Sequence, residues 1–319
     1  MTTGSNLKNK SNTLLLFTLL LLLWGSCINE DLSECETGHY ICFDLRNPKY
    51  KFPEVVNTVD LYFYNQQNGN LAADYHYKKD QLREHDYAAY VPDMPSGQYN
   101  VVAIINNIEC YKTFGIEEYN KLSTSLEGEI IEKKPIDIFS AQKEITIKRI
   151  SSIVSTDTMN LTKHTNNIHV NIRFEKYTPS SGNTVDTYIA GGNGVFNYST
   201  YSCDKSSYRK YIAHQTAGSV LDEIPAEYDF TTMRLWRKSD MTLYIEEKGL
   251  TRNSQAIIEM DIEEELAKVK NENGEPLYDT DEKLEFHDDY EITITIGPSF
   301  VVVGLEINDW VIKDSNVEV

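Results

Sequence analysis

Cys27 sits where the chain's spacing points most directly to a covalent step. It ends the segment Leu23-Trp24-Gly25-Ser26-Cys27, which follows an apolar run from Leu14 to Trp24. Lys8 and Lys10 are the only charges ahead of it. A basic start, an apolar middle and a small-residue end make a signal peptide. The run is shorter than the roughly 20 apolar residues needed to span a hydrocarbon core. The segment resembles a lipobox, with Trp24 where Leu is usual. In a lipobox a diacylglycerol joins the thiol, here that of Cys27, and the chain is then cut, here after Ser26. Two or three acyl chains hold a protein firmly, since each buried CH₂ contributes about 0.8 kcal/mol. In an ordinary secretory signal Cys27 would instead be a disulfide partner.

Cys35, Cys42, Cys110 and Cys203 complete the cysteines. In an exported chain an even number suggests disulfides, and four allow three connectivities. Cys35 and Cys42 would close a small loop; free buried thiols are the other reading. No cysteine or histidine cluster has zinc spacing, and His164 and His169 read as strand-face or exposed side chains. Asp279, Asp281, Asp288 and Asp289 lack the central glycine and closing glutamate of a calcium loop and read as a solvated acidic loop. Gly191-Gly192-Asn193-Gly194 lacks the third glycine and the following helix of a dinucleotide site. Neither a serine-nucleophile elbow, a zinc helix nor a phosphate loop occurs, and no carboxylate pair stands out. The chain therefore reads as a non-enzyme without cofactor or metal. Its 21 tyrosines suit sheet packing and contact surfaces alike. Tyr75, Tyr77, Tyr198, Tyr201, Tyr208 and Tyr211 lie in polar company, and an exposed platform near Tyr198 and Tyr201 would favour glycan or protein binding.

The elements carrying these residues are strands. Alternation of Tyr, Val, Ile and Thr marks 59–64, 87–91, 98–105, 144–149, 168–174, 233–236, 241–245, 256–260, 290–296 and 301–310. Asn68-Gly69 supplies a tight hairpin turn. Asp261 reads as the N-cap of a short helix burying Ile262, Leu266 and Val269; a second short helix is expected around Ile116, Tyr119 and Leu122. So many strands with so little helix mean an all-β protein of packed sandwiches. The segments are a signal at 1–26, a first domain at 27–150 and a second at 151–319, divided at the polar stretch that opens at Ser151. The 319 residues carry a net charge of −19, which repels nucleic acid.

Several blocks give the chain a family likeness: the lipid-attachment cysteine, Cys35 and Cys42, Val59-Asp60-Leu61-Tyr62-Phe63-Tyr64, and Met94-Pro95-Ser96-Gly97 running on to Ala103. Asn193 to Tyr198, Thr232 to Leu235 and Glu306-Ile307-Asn308-Asp309-Trp310 follow in order. The chain resembles the FimB-type fimbrial anchor lipoproteins of Bacteroidales. Glu30-Asp31 after the cysteine resembles the signal that sends such lipoproteins to the outer face of the outer membrane. The resemblance implies two tandem transthyretin-like β-sandwich domains and a protein held in the outer membrane through acyl chains on Cys27. It also implies a fimbrillin-like shaft subunit as partner, with the base of a fimbrium assembled by β-strand addition. A surface adhesin or glycan-binding lipoprotein is the alternative. The tail from Lys313 to Val319 reads as a frayed terminus, with a donated strand the lesser reading.

Overall fold

The computed structural model describes residues 38–92, 94–148, 154–175, 184–219, 224–248 and 255–313. Ser26, Cys27, Cys35 and the tail beyond Lys313 lie outside them. Strand is the dominant element of the described chain, with only a few short helices, as its alternation requires.

A seven-stranded sheet has the order β3 (Leu71–Lys78), β2 (Thr58–Asn65), β5 (Gly97–Ile105), β9 (Phe139–Ile147), β10 (Ser155–Lys163), β1 (Gly38–Leu45), β4 (Ala89–Pro92). It folds back on itself at β10. Residues 155–161 of that strand pair in parallel with β1, while Thr162 and Lys163 pair with β9. The inward side chains of the two arms then meet in one core, with Ile41, Phe43 and Met159 from one arm and Leu61, Phe63, Val101 and Ile145 from the other. Tyr62, Tyr64, Val102 and Ile104, on the opposite face of β2 and β5, enter a second core. A strand buried on both faces reads as a continuous apolar run, and β5 does.

A six-stranded sheet has the order β16 (His214–Ser219), β17 (Ile224–Met233), β11 (Thr165–Phe174), β20 (Asp289–Gly297), β21 (Val301–Ile307), β22 (Trp310–Lys313). A five-stranded sheet runs β19 (Gln255–Asp261), β18 (Thr242–Lys248), β12 (Thr184–Gly191), β15 (Arg209–Ile212), β8 (Ile130–Ile131). Four short strands form the last sheet: β14 (Ser202–Cys203), β13 (Val195–Asn197), β7 (Ser123–Leu126), β6 (Tyr111–Phe114). Inward residues of all three, among them Ile168, Ile292, Ile189, Leu243, Phe196 and Leu126, share the second core.

Two differences from the sequence reading have physical causes. The polar stretch after Ser151 contains β10, whose hydroxyl- and amide-bearing residues satisfy a strand ladder as well as apolar ones do. The first sheet thus runs to Lys163, past the break placed at residue 150. Residues 111–131 pair with later strands instead, β7 with β13 and β8 with β15. Around Tyr119 only a single 3₁₀ turn forms, Tyr119–Lys121. The strand expected at 233–236 ends at Met233.

His164 alone separates β10 from β11. Its backbone N–H donates to Ile138 O (2.8 Å) and its carbonyl accepts from Arg234 N (2.9 Å). Its ring lies 4.3 Å from that of Phe196, centroid to centroid, and its Nε2 is 2.6 Å from Ser140 Oγ. Burial, then the charges of Arg234 and Arg46, holds the imidazole well below its ordinary pKa. An unfolded chain therefore binds a proton here that the folded chain does not, so stability rises with pH in this window. The contribution is complete above about pH 6.5 and is lost as pH falls from there towards the folded pKa, at up to about 1.4 kcal/mol per unit. Urea melts at pH 7 and pH 5 are expected to show a smaller pH difference for His164→Gln than for the wild type. Equal differences would show that the ring protonates freely in the fold.

Candidate assembly surface

A protein built of sheets offers two kinds of docking feature: the edge strands and the side chains that guard or line them. Eight strands end a sheet among the described residues: β3, β4, β16, β22, β19, β8, β14 and β6. Unpaired edges template further strand pairing, and proteins blunt them with shortness, bulges, charges or proline. Most of these eight are blunted. β8 and β14 have two residues each, and β4 has four and ends in Pro92. β16 has two register irregularities and the four-residue β22 has one.

The long edge β3 is stitched to its counterpart across the first core. Tyr75 Oη donates to Pro92 O (3.2 Å), and Tyr77 Oη donates to Tyr90 O. Both acceptors are backbone carbonyls of β4. The side of the sandwich between β3 and β4 is thereby closed by phenols.

On the second core the matching side is open. A groove of about 680 Å³ lies between β19 of one sheet and β21–β22 of the other. Ile258, Met260 and Leu305 form its apolar floor with Val302 and Ile312, all belonging to or packed on the core. Its end wall is the helix α3 (Ile262–Lys268), taking the two earlier short helices, Phe52–Val55 and Lys79–Arg83, as α1 and α2. Asp261 caps α3 as its sequence demands, the side chain accepting from Glu264 N at 2.8 Å. Glu264 and Glu265 of α3 line the groove beside Glu259, and Lys268 is drawn to Glu265 at 2.6 Å.

The position of α3 is set by a buried carboxylate. Glu263 accepts from Ser239 N (3.1 Å) and Ser239 Oγ, tying the helix to the turn that leads into β18. Burial pushes its pKa up, and the hydrogen bonds from Ser239 and Met241 oppose that shift. Gly191 and Gly192 pack against the same region. A Cβ at Gly191 would lie 2.5 Å from Met241 Sδ, and one at Gly192 would lie 2.0 Å from Lys205 O. Asn193, also buried, donates to Met233 O (2.7 Å) and accepts from Tyr211 Oη (2.8 Å). The glycine-rich segment is thus a packing device.

The other residues singled out in the sequence are dispersed. Tyr198 and Tyr211 are wholly buried, and Tyr201 packs on the same core with its hydroxyl on Glu285 (2.8 Å). The platform expected near Tyr198 and Tyr201 is core because both sit where the four-stranded sheet meets the second core. Exposed aromatic character lies instead on the outer face of the five-stranded sheet. There Tyr188 and Tyr244 stack at 4.7 Å, with Lys210 Nζ 3.5 Å from the Tyr188 centroid, and Tyr208 is 54% exposed nearby. Cross-strand pairing of Tyr188 with Tyr244 produces the stack, a neighbour relation that residue order alone does not reveal.

Cys42, Cys110 and Cys203, all half-buried, form no disulfide with one another, and Cys35 lies outside the described residues. Among the described residues no three acidic, histidine or cysteine side chains converge to hold a metal. Asp279 pairs with Lys283 (2.7 Å), Asp281 accepts from Arg237 N (2.6 Å), Asp288 accepts from Asn47 (2.8 Å) and Asp289 pairs with Lys49. His169 is 2.6 Å from Asp229 on the neighbouring strand.

Comparison with known proteins agrees with this architecture. Residues 32–316 match the family model of the fimbrillin-A associated anchor proteins Mfa1 and Mfa2. The fimbrial anchor protein Mfa2 of Porphyromonas gingivalis superposes with a TM-score of 0.66 at 19% identity, covering 88% of this chain and 100% of that one. A Bacteroides thetaiotaomicron protein provisionally described as polysaccharide binding gives 0.69 at 21% identity, covering 88% and 99%. A second protein of that organism, provisionally described as an adhesin, gives 0.68 at 18%, covering 89% and 99%. At such identities the likeness to these structures is one of fold. No curated protein sequence matches the chain significantly.

The bonds of Glu263 make the groove wall testable. Glu263→Ala removes the acceptor shared by Ser239 N, Ser239 Oγ and Met241 N, leaving Ser239 only its bonds to Trp236 O, and is expected to cost roughly 1–3 kcal/mol. Glu263→Gln, which keeps an acceptor oxygen, is expected to cost less. Chemical denaturation of both variants checks the order; an alanine variant as stable as the wild type would show that the wall is held otherwise.

Proposed function

The chain belongs to the family of fimbrillin-A associated anchor proteins, and from that membership we propose that it is the lipid-anchored base subunit of a fimbrium. The family places it among structural, fimbrium-associated cell-surface proteins and not among enzymes. The observation that carries the finer reading is the extent of the match, which begins five residues beyond Cys27 at Leu32 and runs past β22 to residue 316. In this reading the whole folded part does the family's work, and the segment before it serves export and attachment. A diacylglycerol joined to the Cys27 thiol before cleavage after Ser26 holds the protein in the outer membrane, and Glu30-Asp31 directs it to the cell surface. A fimbrillin-like shaft subunit is the partner, joined by strand addition, in which main-chain bonds to an open sheet edge give affinity and side-chain pockets give specificity. Cys35 and Cys42 remain a proposed pair near the start of the fold.

A second reading, a surface adhesin or glycan-binding lipoprotein, is favoured by one observation. The Tyr188–Tyr244 stack lies on an outer sheet face, and aromatic side chains with polar tips suit exposed contact surfaces.

Cys27→Ser is expected to release the protein into the medium or leave an uncleaved precursor. A mature variant still fractionating with membrane would remove the lipid claim. In the wild type, affinity capture from fimbriate cells is expected to recover a fimbrillin-like subunit in excess. Recovery of the lipoprotein alone would promote the second reading.

A further inference from the structure

We infer that the groove beside β19 is the docking site of an extended strand from another polypeptide, one carrying large apolar residues on alternate positions together with lysine or arginine. This rests on the base-subunit reading and names the edge and the chemistry of the partner that the reading requires.

Three observations converge on β19. Its seven residues pair with β18 in seven consecutive register steps without a bulge. None of the seven is proline or lysine; Glu259 and Asp261 are its only charges, so the edge is guarded by acids alone and is open to a basic strand. On its other side, among the described residues, no strand pairs with it. The comparably long edge, β3, is the one whose flank is closed by Tyr75 and Tyr77.

The groove tells what the incoming strand looks like. Side chains of a strand alternate between two faces. A strand laid along β19 would turn one set towards the floor of Ile258, Met260 and Leu305 and the other set outward beside Ile257, which is 45% exposed. Large apolar residues fit the first set. The outward set and the strand's end meet Glu259 and Glu264. The groove lining carries four carboxylates, Glu259, Asp261, Glu264 and Glu265, against two lysines, Lys268 held by Glu265 and Lys313 donating to Val302 O, so the wall is net acidic. A basic strand is complementary to such a wall. The chain's own terminal residues are not, because Asp314 and Glu318 add two further acids beyond Lys313. Charge at the rim of an interface chiefly sets encounter rate and salt dependence, so docking should weaken as ionic strength rises.

The test uses the full-length lipoprotein in cells that make fimbriae. A photo-crosslinking residue is placed at Ile257 on β19 and, in a separate strain, at Ala72 on the outer side of β3. Irradiation is expected to join the Ile257 variant to the shaft subunit through one peptide of alternating apolar and basic character, and to join the Ala72 variant to none. Adding Glu259→Lys and Glu264→Lys is expected to lower the crosslinked yield about tenfold and to remove most of its salt dependence. Both substitutions lie on the protein surface, and an unchanged melting curve confirms the fold.

Crosslinks from Ile257 to residues 314–319 of the same chain would overturn the proposal, as would capture of the shaft subunit at Ala72 alone. Either result leaves the base-subunit reading standing, because shaft subunit would still co-purify. A captured peptide without basic residues, or a yield unchanged by the charge reversals, would overturn the partner chemistry. Absence of shaft subunit from every crosslink and from the affinity capture would remove both readings.

Discussion

The chain leaves one sheet and enters the next across a single buried residue, and most of the architecture follows from that. With only His164 between β10 and β11, the last residues of one strand and the first of the other must share an environment. Lys163 is buried there, its ammonium 3.1 Å from Asp137 and 3.3 Å from Tyr50 Oη. Thr165 donates to the same Asp137 carboxylate at 2.8 Å. Glu285 gathers Arg46 (2.5 Å), Tyr201 (2.8 Å) and Thr162 (3.2 Å), side chains from three parts of the chain. Removing one partner of such a buried set leaves the other charge uncompensated, which is costly. Charged groups here fix an orientation that apolar contacts alone would leave free to slide.

That fixed joint lets one core serve several sheets. β2 and β5 turn one face to the first core and the other to the second, so the same backbone ladder is packed from both sides. The short strands β6 to β8, early in the sequence, complete sheets built mainly from late ones. Together these pairings bring the early and late parts of the chain into one interlocked body. The open groove contrasts with the flank between β3 and β4, which Tyr75 and Tyr77 close.

Much of the strand content was legible because its physical signal is local. β18 and β20 alternate apolar and polar residues, β2 and β5 carry the apolar runs of strands buried on both faces, and Asp261 capped its helix where a side-chain acceptor precedes an apolar period. β10 was not legible, since its residues satisfy a ladder without an apolar stripe and its partner, β1, lies 116 residues away at the His39–Ser155 contact. The tyrosines illustrate a different limit. Tyr198 in the core and Tyr208 on the surface sit in equally polar company; only the sheet order decides which way each ring faces. The groove was invisible for the same reason. An edge strand and a central strand share one alternation, and nothing in residues 255–261 tells that β18 is their sole neighbour among the described residues.

The parallel pairing of β1 with β10 has a mechanical consequence. β1 is the first described strand after the signal region, and seven of its residues stand in register with β10. In a protein tethered through Cys27 and pulled by a filament at its far end, tension enters along the axis of β1. A load along the strands of a parallel ladder strains all the rungs together, whereas a load across an end opens them one by one. Rupture in the first geometry requires many hydrogen bonds to yield at once, so the lifetime under force is governed by a high unfolding barrier rather than by equilibrium stability. Under the proposed tether the first described strand is thus arranged as a shear clamp, suited to a part that must hold while something long is dragged through flowing liquid.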